Sequence, residues 1–491
     1  MSEPGALPDG PVRPVAAAVA RYAGLAGAAL LTVAGWLGGA LPDTPAVTSL
    51  GDAWRAPHGP AVLGCWLVGT VLLVGAWWSL RWGAPSGRWA YLTAGLWLLP
   101  LLAAPPLGSR DVYSYACQGW SWTHGADPYR VGVAAAGCPW AESVSPIWRD
   151  TPAPYGPFFV LLAGLAVLLG GGLVGAIVLL RVVALAGVLL AALCLPGLAR
   201  AVGVPTRRAA WLVLACPLVG VHLVAGAHND AVGLGLLLFG LLVLIRRPGG
   251  PRALVVAGVL FGLAVAVKAV AVVVLPFAVL AAVPGRYTWR ALLRDGGWLA
   301  GGVLATLAAT SLATGLGLGW VRGLARSGDS EQWTSPPTAV GLVVDYAGGL
   351  AGRDPQAVQV VRAAALAVLA VLLVILWWRA WTALRRLGDV GQPAARPRAA
   401  LAGAGLALAA TVLLAPVFHP WYATWPLALL AVATLAVART AWFVAPCAVA
   451  SLLALPDGTN LARFTKAPGA ILMTALVVVV VVVAIRARRA R

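Results

Sequence analysis

The sequence predicts an all-α polytopic membrane protein, and three observations support that prediction. Hydrophobic residues make up 61% of its 491 residues and charged residues 10%, whereas a soluble domain carries about 25% charged residues. Apolar runs recur along the chain, many of about 16 to 24 residues, which is the length that crosses about 30 Å of hydrocarbon. Basic residues concentrate in alternate connections between these runs. That distribution follows the positive-inside rule and does not indicate a nucleic-acid partner.

The positions of the apolar runs give the predicted membrane spans. We predict about 14 of them, close to residues 21–41, 60–80, 88–107, 178–198, 209–227, 231–245, 252–267, 269–283, 295–317, 357–381, 399–416, 422–438, 441–456 and 468–485.

Charge sets the predicted orientation. The net charge is +19, and placing the N-terminus inside assigns most arginines to inner segments and leaves the outer ones close to neutral. We therefore predict a cytoplasmic tail at 1–20, one transmembrane domain at 21–485 and a basic cytoplasmic tail at 486–491. The protein is expected in the plasma (inner) membrane, among membrane lipids, with its functional site facing outward.

Two outer loops dominate the extramembrane part of the chain. The first runs over 108–177 and the second over 320–356. Residues 157–177 are apolar enough to span, but a crossing there would place Arg200, Arg207 and Arg208 outside. Charge therefore favours an in-plane or re-entrant helix for this piece, and a spanning helix is the alternative.

The stretch GSRDVYSYACQGW places a carboxylate where a predicted span reaches the outer surface. Ser109 can cap a short helix beginning at Arg110, which puts Asp111 in the first turn, where the helix dipole favours the ionised form. Tyr115 lies on the same helix face. An ionised carboxylate at the membrane surface is suited to take a proton from a sugar hydroxyl. In the alternative interpretation, Asp111 pairs with Arg110 and only caps the helix.

Aromatic turns and two cysteines follow in the same loop. ADPYRVG and TPAPYGPF, the latter containing Tyr155, present rings that stack on sugars or, alternatively, anchor the loop at the lipid interface. Cys117 and Cys138 are the two cysteines in outer loops. They form a disulfide or stay reduced, since the compartment permits bridging but the sequence does not decide.

Polar residues also mark the outer ends of later spans. AGAHNDAVG places His228, Asn229 and Asp230 at the edge of the hydrocarbon, where unpartnered polar groups are costly. A helix-terminating turn explains Asn229 but not its two neighbours. We therefore predict a functional role for these residues: they orient an acceptor, assist a base or hold a hydrated ion.

A cation and a further aromatic group complete the candidates. Lys268 is one of two lysines in the chain and lies between two predicted spans, where it binds a lipid phosphate or snorkels to the interface. FHPWYATWP adds His419, Trp421 and Tyr422 at another outer end. NLARFTKAPG contributes Arg463 and Lys466, a weaker signal for phosphate binding.

The motifs SRDVYSYACQG, GADPY, TPAPYGP, AHND, the Lys268 span and FHPWY occur in that order along the chain. In this the chain resembles the GT-C glycosyltransferases that use polyprenyl-phosphate sugars, and it is most similar to the actinobacterial polyprenol-phosphomannose-dependent α-1,6-mannosyltransferases. The resemblance implies a large first outer loop that is catalytic and contains interfacial helices. It also implies a catalytic acid residue at the start of that loop, which Asp111 matches.

The resemblance implies a role for each candidate residue. Mannose would pass from a polyprenyl phosphomannose donor to a mannosylated glycolipid acceptor with inversion, and Asp111 would be the base. Acceptor-positioning roles fall to His228, Asn229, Asp230, Tyr115 and Tyr155; donor-phosphate binding falls to Lys268, His419, Arg463 and Lys466; and stacking on sugar or lipid falls to Tyr113, Trp421 and Tyr422.

No cofactor and no metal site are expected, and a divalent cation stays open. Some GT-C members carry paired acids in this loop, whereas here Arg110 precedes a single Asp111. Two other functions compete: a GT-C enzyme that transfers another sugar such as arabinose, and a sugar transporter or lipid flippase. The chain has no evident internal repeat and its polar residues lie at span ends, features that disfavour transport.

Overall fold

The computed structural model describes residues 14–42, 44–387, 394–436 and 439–489. Within these ranges the chain is all-α; its β-structure is a single isolated bridge between Ala454 and Asn460. The predicted fold class is confirmed. Residues 1–13 of the predicted N-terminal tail, 490–491 of the C-terminal tail and 437–438 of one predicted span lie outside the described residues.

The α-helices of the described ranges follow one another through the chain. They are α1 (Pro14–Gly38), α2 (Leu50–Arg55), α3 (Gly59–Ser79), α4 (Gly87–Ala103), α5 (Asp111–Thr123), α6 (Pro157–Gly170), α7 (Leu173–Val202), α8 (Thr206–Leu214), α9 (Asp230–Arg246), α10 (Pro251–Val267), α11 (Leu275–Ala282), α12 (Trp289–Thr314), α13 (Trp320–Arg326), α14 (Pro336–Leu350), α15 (Ala357–Leu387), α16 (Ala395–Leu414), α17 (Thr424–Ala433), α18 (Ala441–Ala450) and α19 (Lys466–Arg489).

Seven of the described helices are long and apolar enough to cross a membrane: α1, α3, α7, α12, α15, α16 and α19. Helix α8 and the π-helical segment Val219–Ala225 meet at a 60° bend and would add an eighth span if counted as one. Each predicted span has a helical counterpart, but several counterparts are short. Helices α9 and α10 have 17 residues each, about 25 Å at the rise of an α-helix. The count of about 14 therefore stays a prediction.

Helix α6 occupies the piece of the first outer loop whose placement the charge pattern left open. Its 14 residues extend about 21 Å, less than the hydrocarbon thickness. The chain then turns at Gly171, whose φ of 64° is in the left-handed region, and enters α7. This length is compatible with the predicted in-plane or re-entrant helix, which stays a prediction.

Helix α5 is held in place by close packing against α6. Val112, Tyr115 and Cys117 are fully buried. A Cβ atom at Gly119 would lie 2.4 Å from the carbonyl carbon of Ala163 on α6, so only glycine permits this approach. The first residue of α5 therefore has a fixed position.

Four irregular segments meet near that residue. They are the turn before α5, the turn 226–229 before α9, the helix break at Lys268, and the 3₁₀ turn Pro420–Ala423 with the preceding His419. Ala227 has a φ of 52°, an uncommon conformation for a residue with a side chain, and such strain concentrates at functional sites. The breaks bring polar side chains to one place.

Candidate active site

Asp111 is the first residue of α5. The Ser109 hydroxyl accepts a hydrogen bond from the Asp111 N–H at 3.0 Å. The helix thus begins one residue later than we predicted, because Arg110 has a non-helical backbone. The Asp111 side chain is 16% exposed, and its Oδ2 lies 3.8 Å from Nδ1 of His228. The carboxylate is sheltered but accessible.

Arg110 points away from Asp111. Its guanidinium donates to the carbonyl oxygens of Leu41 at 3.1 Å, Thr44 at 2.5 Å and Ser143 at 3.3 Å. The alternative in which Asp111 merely pairs with its neighbour is therefore wrong. Arg110 ties the start of α5 to two other segments of the chain.

The surroundings of Asp111 change its proton affinity. Burial raises the pKa of the Asp111 carboxyl to about 6, against the lowering effects of Lys268 and the Ser109 hydroxyl, while Asp230 raises it further. Such a carboxylate is mostly ionised at neutral pH and more basic than an ordinary aspartate. Both properties suit a general base.

His228 and Asn229 form a buried layer behind Asp111. They are 0% and 1% exposed. The Tyr115 hydroxyl lies 3.3 Å from Nδ1 of His228 and donates to Oδ1 of Asn229 at 3.5 Å. These residues contact the base and its helix, so the structure places them where they can orient Asp111.

Asp230 fixes the cation of the site. Its Oδ2 accepts from Nζ of Lys268 at 2.6 Å and its Oδ1 accepts from Nε1 of Trp425 at 2.7 Å. Nζ of Lys268 also lies 4.8 Å from the ring centroid of Tyr422. Lys268 is therefore neither a snorkelling nor an isolated lysine: a buried carboxylate and an aromatic face hold its ammonium in position.

Histidine and tryptophan rings stack beside this pair. The ring centroids of His419 and Trp421 are 4.7 Å apart, and those of His228 and Trp421 are 3.9 Å apart. His222, which the sequence analysis did not select, lies 5.3 Å from Trp421. Burial, with a contribution from Lys268, lowers the pKa of His419 to about 3. Without a ligand, His419 is thus a neutral ring that can donate a hydrogen bond to an anion.

A first cavity of about 240 Å³ opens beside Asp111. Helix α5 contributes Asp111, Ser114 and Gln118, which recur at the spacing of one helix face. Oγ of Ser114 and Oε1 of Gln118 are buried and have no hydrogen-bond partner among the described residues, an uncommon state for buried polar atoms. The remaining wall includes Trp148, Tyr155, Lys268, Val270, Leu324, Val412, His419, Trp421, Tyr422 and Trp425.

A second cavity of about 170 Å³ also has Asp111 in its wall. Its wall is rich in hydroxyl and amide groups and includes Ser109, Asp111, Trp148, Ser330, Glu331, Gln332, His419, Trp421, Asp457, Thr459, Asn460 and Arg463. Asp111, Trp148, His419 and Trp421 line both cavities. The two cavities therefore meet at the carboxylate.

Arg463 and Lys466, the two basic residues predicted to bind phosphate in the last outer loop, have different surroundings in the structure. Arg463 lines the second cavity, on the side away from Lys268. Nζ of Lys466 donates to Oε2 of Glu331 at 3.0 Å, with both side chains more than two-fifths exposed. Lys466 lines neither cavity, and its phosphate-binding role stays a prediction.

Among the described residues, no group of three or more histidine, cysteine, aspartate or glutamate side chains is placed to hold a metal ion. Comparison with known proteins then gives the family. A family model described as "Alpha-(1->6)-mannopyranosyltransferase, N-terminal domain" matches residues 21–284, more than half of the chain. The chain belongs to this alpha-(1->6)-mannopyranosyltransferase family. A second model, "MptB C-terminal domain", matches residues 337–484.

Several relatives carry the family name. The chain is 35% identical to an alpha-(1->6)-mannopyranosyltransferase of Mycobacterium tuberculosis over 67% of this chain and 63% of that protein. It is 34% identical to alpha-(1->6)-mannopyranosyltransferase A of the same organism, over 85% of this chain and 80% of that protein. A probable alpha-(1->6)-mannopyranosyltransferase of Mycolicibacterium smegmatis is 36% identical over 68% of this chain and 63% of its own length.

The chain thus spans a little under two thirds of the first and third of these relatives. No solved structure matches it.

Within this member of the mannopyranosyltransferase family, one predicted stacking residue lies elsewhere. Tyr113 is 0% exposed and its hydroxyl donates to the carbonyl oxygen of Ala40. Its ring reaches neither cavity, so the prediction that it stacks on sugar or lipid is wrong. Trp421, Tyr422 and Tyr155 do line the first cavity.

The predicted first outer loop also contains a disulfide. The structure joins Cys117 of α5 to Cys138, and the other four cysteines are free. The bridge ties α5 to the segment that leads to Trp148, a residue common to both cavity walls.

The polar turn Asp457–Asn460 lies in the second cavity but is not among the residues predicted from the sequence. Asp457 accepts from the backbone N–H of Val47 at 3.0 Å and from the Thr459 hydroxyl at 2.7 Å. A Cβ atom at Gly458 would lie 2.9 Å from Cα of Ser109. The run PDGTN, polar between two apolar stretches, was a signal that the analysis did not use.

Proposed function

We propose that the protein is an inverting mannosyltransferase. It moves mannose from polyprenyl phosphomannose to a lipid-linked acceptor of the α-1,6-mannan type on the outer face of the membrane. The observation that carries this proposal is the position of Asp111 between two cavities, one of which also contains a fixed cation. Family membership supports mannose as the transferred sugar.

The first cavity suits the donor. Lys268 supplies an ammonium for the phosphate, held in place by Asp230. Val270, Leu324 and Val412 give an apolar side that accommodates a polyprenyl chain. Ser114 and Gln118, with their unpartnered buried oxygens, face the same space and can accept hydrogen bonds from the sugar hydroxyls.

The residues support a single displacement. The acceptor hydroxyl gives its proton to the Asp111 carboxylate while its oxygen forms a bond to C1 of the β-linked mannosyl group. The bond between C1 and the phosphate oxygen breaks, and polyprenyl phosphate departs with the electron pair. Lys268 stabilises the added negative charge, and His419 can donate a hydrogen bond to it.

One carboxylate is enough for this chemistry. Glycosidases need two carboxyl groups because a sugar alkoxide is a poor leaving group that must be protonated. Polyprenyl phosphate leaves as a stabilised anion, so the base needs no partner acid. Inversion converts the β-phosphate into an α-mannoside.

The arginine distribution supports the outer location. Arginines concentrate in the segments assigned to the cytoplasm, and the loop that contains Asp111 belongs to the opposite set. That asymmetry is the usual determinant of orientation in helical membrane proteins.

The test is transfer of labelled mannose from polyprenyl phosphomannose to a short α-mannoside by the purified full-length chain. We expect an α-linked product from the wild type and at least a thousandfold slower transfer by Asp111→Asn, because the amide cannot take the proton. The exposed Asp150→Asn in the same loop is the matched control and should retain wild-type turnover. Turnover of Asp111→Asn near the wild-type rate contradicts the mechanism, and a β-linked product contradicts inversion.

A further inference from the structure

The second cavity shares its inner wall with the first. Asp111, Trp148, His419 and Trp421 line both. In the displacement proposed above, the base must contact the acceptor hydroxyl while the donor sugar lies within bonding distance of the same oxygen. A carboxylate common to two cavities meets this requirement when each cavity holds one substrate.

The two cavities differ in their chemistry. The first contains Lys268 and an apolar side, and we assign it to the lipid phosphate. The second is lined by hydroxyl and amide side chains, including Ser109, Ser330, Gln332 and Thr459. Its wall carries three acidic side chains, Asp111, Glu331 and Asp457, against the two basic ones of Arg110 and Arg463, so it has no excess of positive charge. Such a lining matches a neutral molecule rich in hydroxyl groups better than an anion.

The polar groups of the second cavity are held in fixed orientations. Nδ2 of Asn460 donates to Oε1 of Gln332 at 3.0 Å, and Nε2 of Gln332 donates to Oγ of Ser330 at 3.0 Å. Gln332 is 8% exposed. The Gly108 N–H donates to the carbonyl oxygen of Pro456 at 3.2 Å, which joins this wall to the turn before Asp111. Orientation before binding lowers the entropy that a ligand loses.

We propose that the second cavity is the acceptor subsite and binds a terminal mannosyl unit of a neutral α-linked glycan. Gln332, Asn460 and Ser330 bind its hydroxyls, and Trp148 covers an apolar sugar face. The assignment rests on the proposed function, because it takes Asp111 as the base. It transfers the acceptor-binding role from the buried His228, Asn229 and Asp230 to side chains that line a cavity.

Binding without turnover tests the subsite. A methyl α-1,6-mannobioside is titrated into the purified full-length chain, and polyprenyl phosphate is titrated separately. We expect Gln332→Ala to weaken mannoside binding about tenfold, since a buried hydrogen bond contributes of that order, and to leave polyprenyl phosphate binding within twofold of the wild type.

A steric variant covers the case in which Gln332→Ala does not fold. The half-buried Ala46 lines the second cavity, so Ala46→Phe fills it without removing a side-chain hydrogen bond. We expect at least tenfold weaker mannoside binding, and the exposed Ala135→Phe in the first outer loop is the control.

Three results would overturn the assignment: unchanged mannoside affinity in Ala46→Phe, a loss of polyprenyl phosphate affinity in the same variant, or displacement of the mannoside by inorganic phosphate. A wild-type protein that binds the mannoside at this site but transfers no mannose contradicts the proposed function and leaves a mannoside-binding cavity in place.

Discussion

Nζ of Lys268 lies 2.6 Å from Oδ2 of Asp230, a contact that joins the helix break after α10 to the first residue of α9. The Asp230 side chain is 0% exposed and that of Lys268 is 15% exposed. Nε1 of Trp425 donates a hydrogen bond to the second oxygen of the carboxylate, Oδ1, at 2.7 Å. The pair therefore orients one ammonium toward the first cavity from a position that water scarcely reaches.

Substitution of Lys268 tests two roles of this residue, in donor binding and in stability. Lys268→Met should weaken donor binding at least tenfold and lower stability by about 3–5 kcal/mol, because a buried carboxylate loses its partner. The double variant Lys268→Met with Asp230→Asn should recover most of the stability and none of the donor affinity. Thermal unfolding measures the stability of each variant, and donor titration measures its donor affinity. Donor affinity that returns with stability would show that Lys268 is only structural.

The rate of transfer should depend on the protonation of Asp111. Burial raises the pKa of this carboxyl to about 6, so the base is ionised above that pH and protonated below it. We expect kcat/KM to be level above about pH 7 and to fall tenfold per pH unit well below 6. A pH–rate profile of the wild type, with folding checked at each pH, measures this limb. An acidic limb at the pKa of an ordinary aspartate, near 4, would contradict the buried setting.

Gln118 should contribute to recognition of the donor sugar. Gln118 lines the first cavity, and its buried Oε1 has no hydrogen-bond partner among the described residues. Gln118→Ala should raise the KM for polyprenyl phosphomannose five- to tenfold, about 1–1.4 kcal/mol, without changing inhibition by polyprenyl phosphate, which has no sugar. Ser121→Ala on the same helix, whose hydroxyl donates to the carbonyl oxygen of Cys117, is the control. Equal losses for both ligands would assign Gln118 to the phosphate or to folding.

Gly458 should affect catalysis through the position of Asp111. Its φ is 91° and a Cβ atom there would lie 2.9 Å from Cα of Ser109. Gly458→Ala should therefore displace the turn before α5 and reduce kcat at least tenfold with little change in donor affinity. Gly352→Ala is the matched control, since its φ is 67° but its Cβ would meet open space. An equal loss of kcat in the two variants would show that backbone strain, and not the contact with Ser109, causes the loss.

Hydropathy predicted the positions of the helices better than it predicted their lengths. Each predicted span coincides with a helix because apolar runs favour helix in lipid. The bend inside a predicted span was harder to place: the chain turns by 60° after α8, within the predicted span 209–227, whereas the break at Lys268 falls between two predicted spans. Pro217 lies at the bend, and a proline is a common cause of such a break.

The sequence predicted those parts of the candidate site that a single short segment identifies. Asp111 follows a capping serine at a span end, and the motif AHND is too polar for its surroundings; both were found. The direction of Arg110 depends on carbonyl groups of residues 41, 44 and 143, and the Lys268–Asp230 pair joins residues 38 positions apart. Such pairings are set by the fold, so a single sequence does not reveal them.

The wall of the second cavity is assembled from distant parts of the chain. Ser109 and Asp111 lie in the part that the first family model matches, whereas Asp457, Asn460 and Arg463 lie in the part that the second one matches. On the proposed acceptor assignment, substitutions of Asn460 and Arg463 would change which glycan is extended, whereas Gly458 must be kept because it packs against Ser109 beside Asp111. Exchanging Asn460 and Arg463 between relatives, with Gly458 retained, is thus a route to altered acceptor preference with the same catalytic residues.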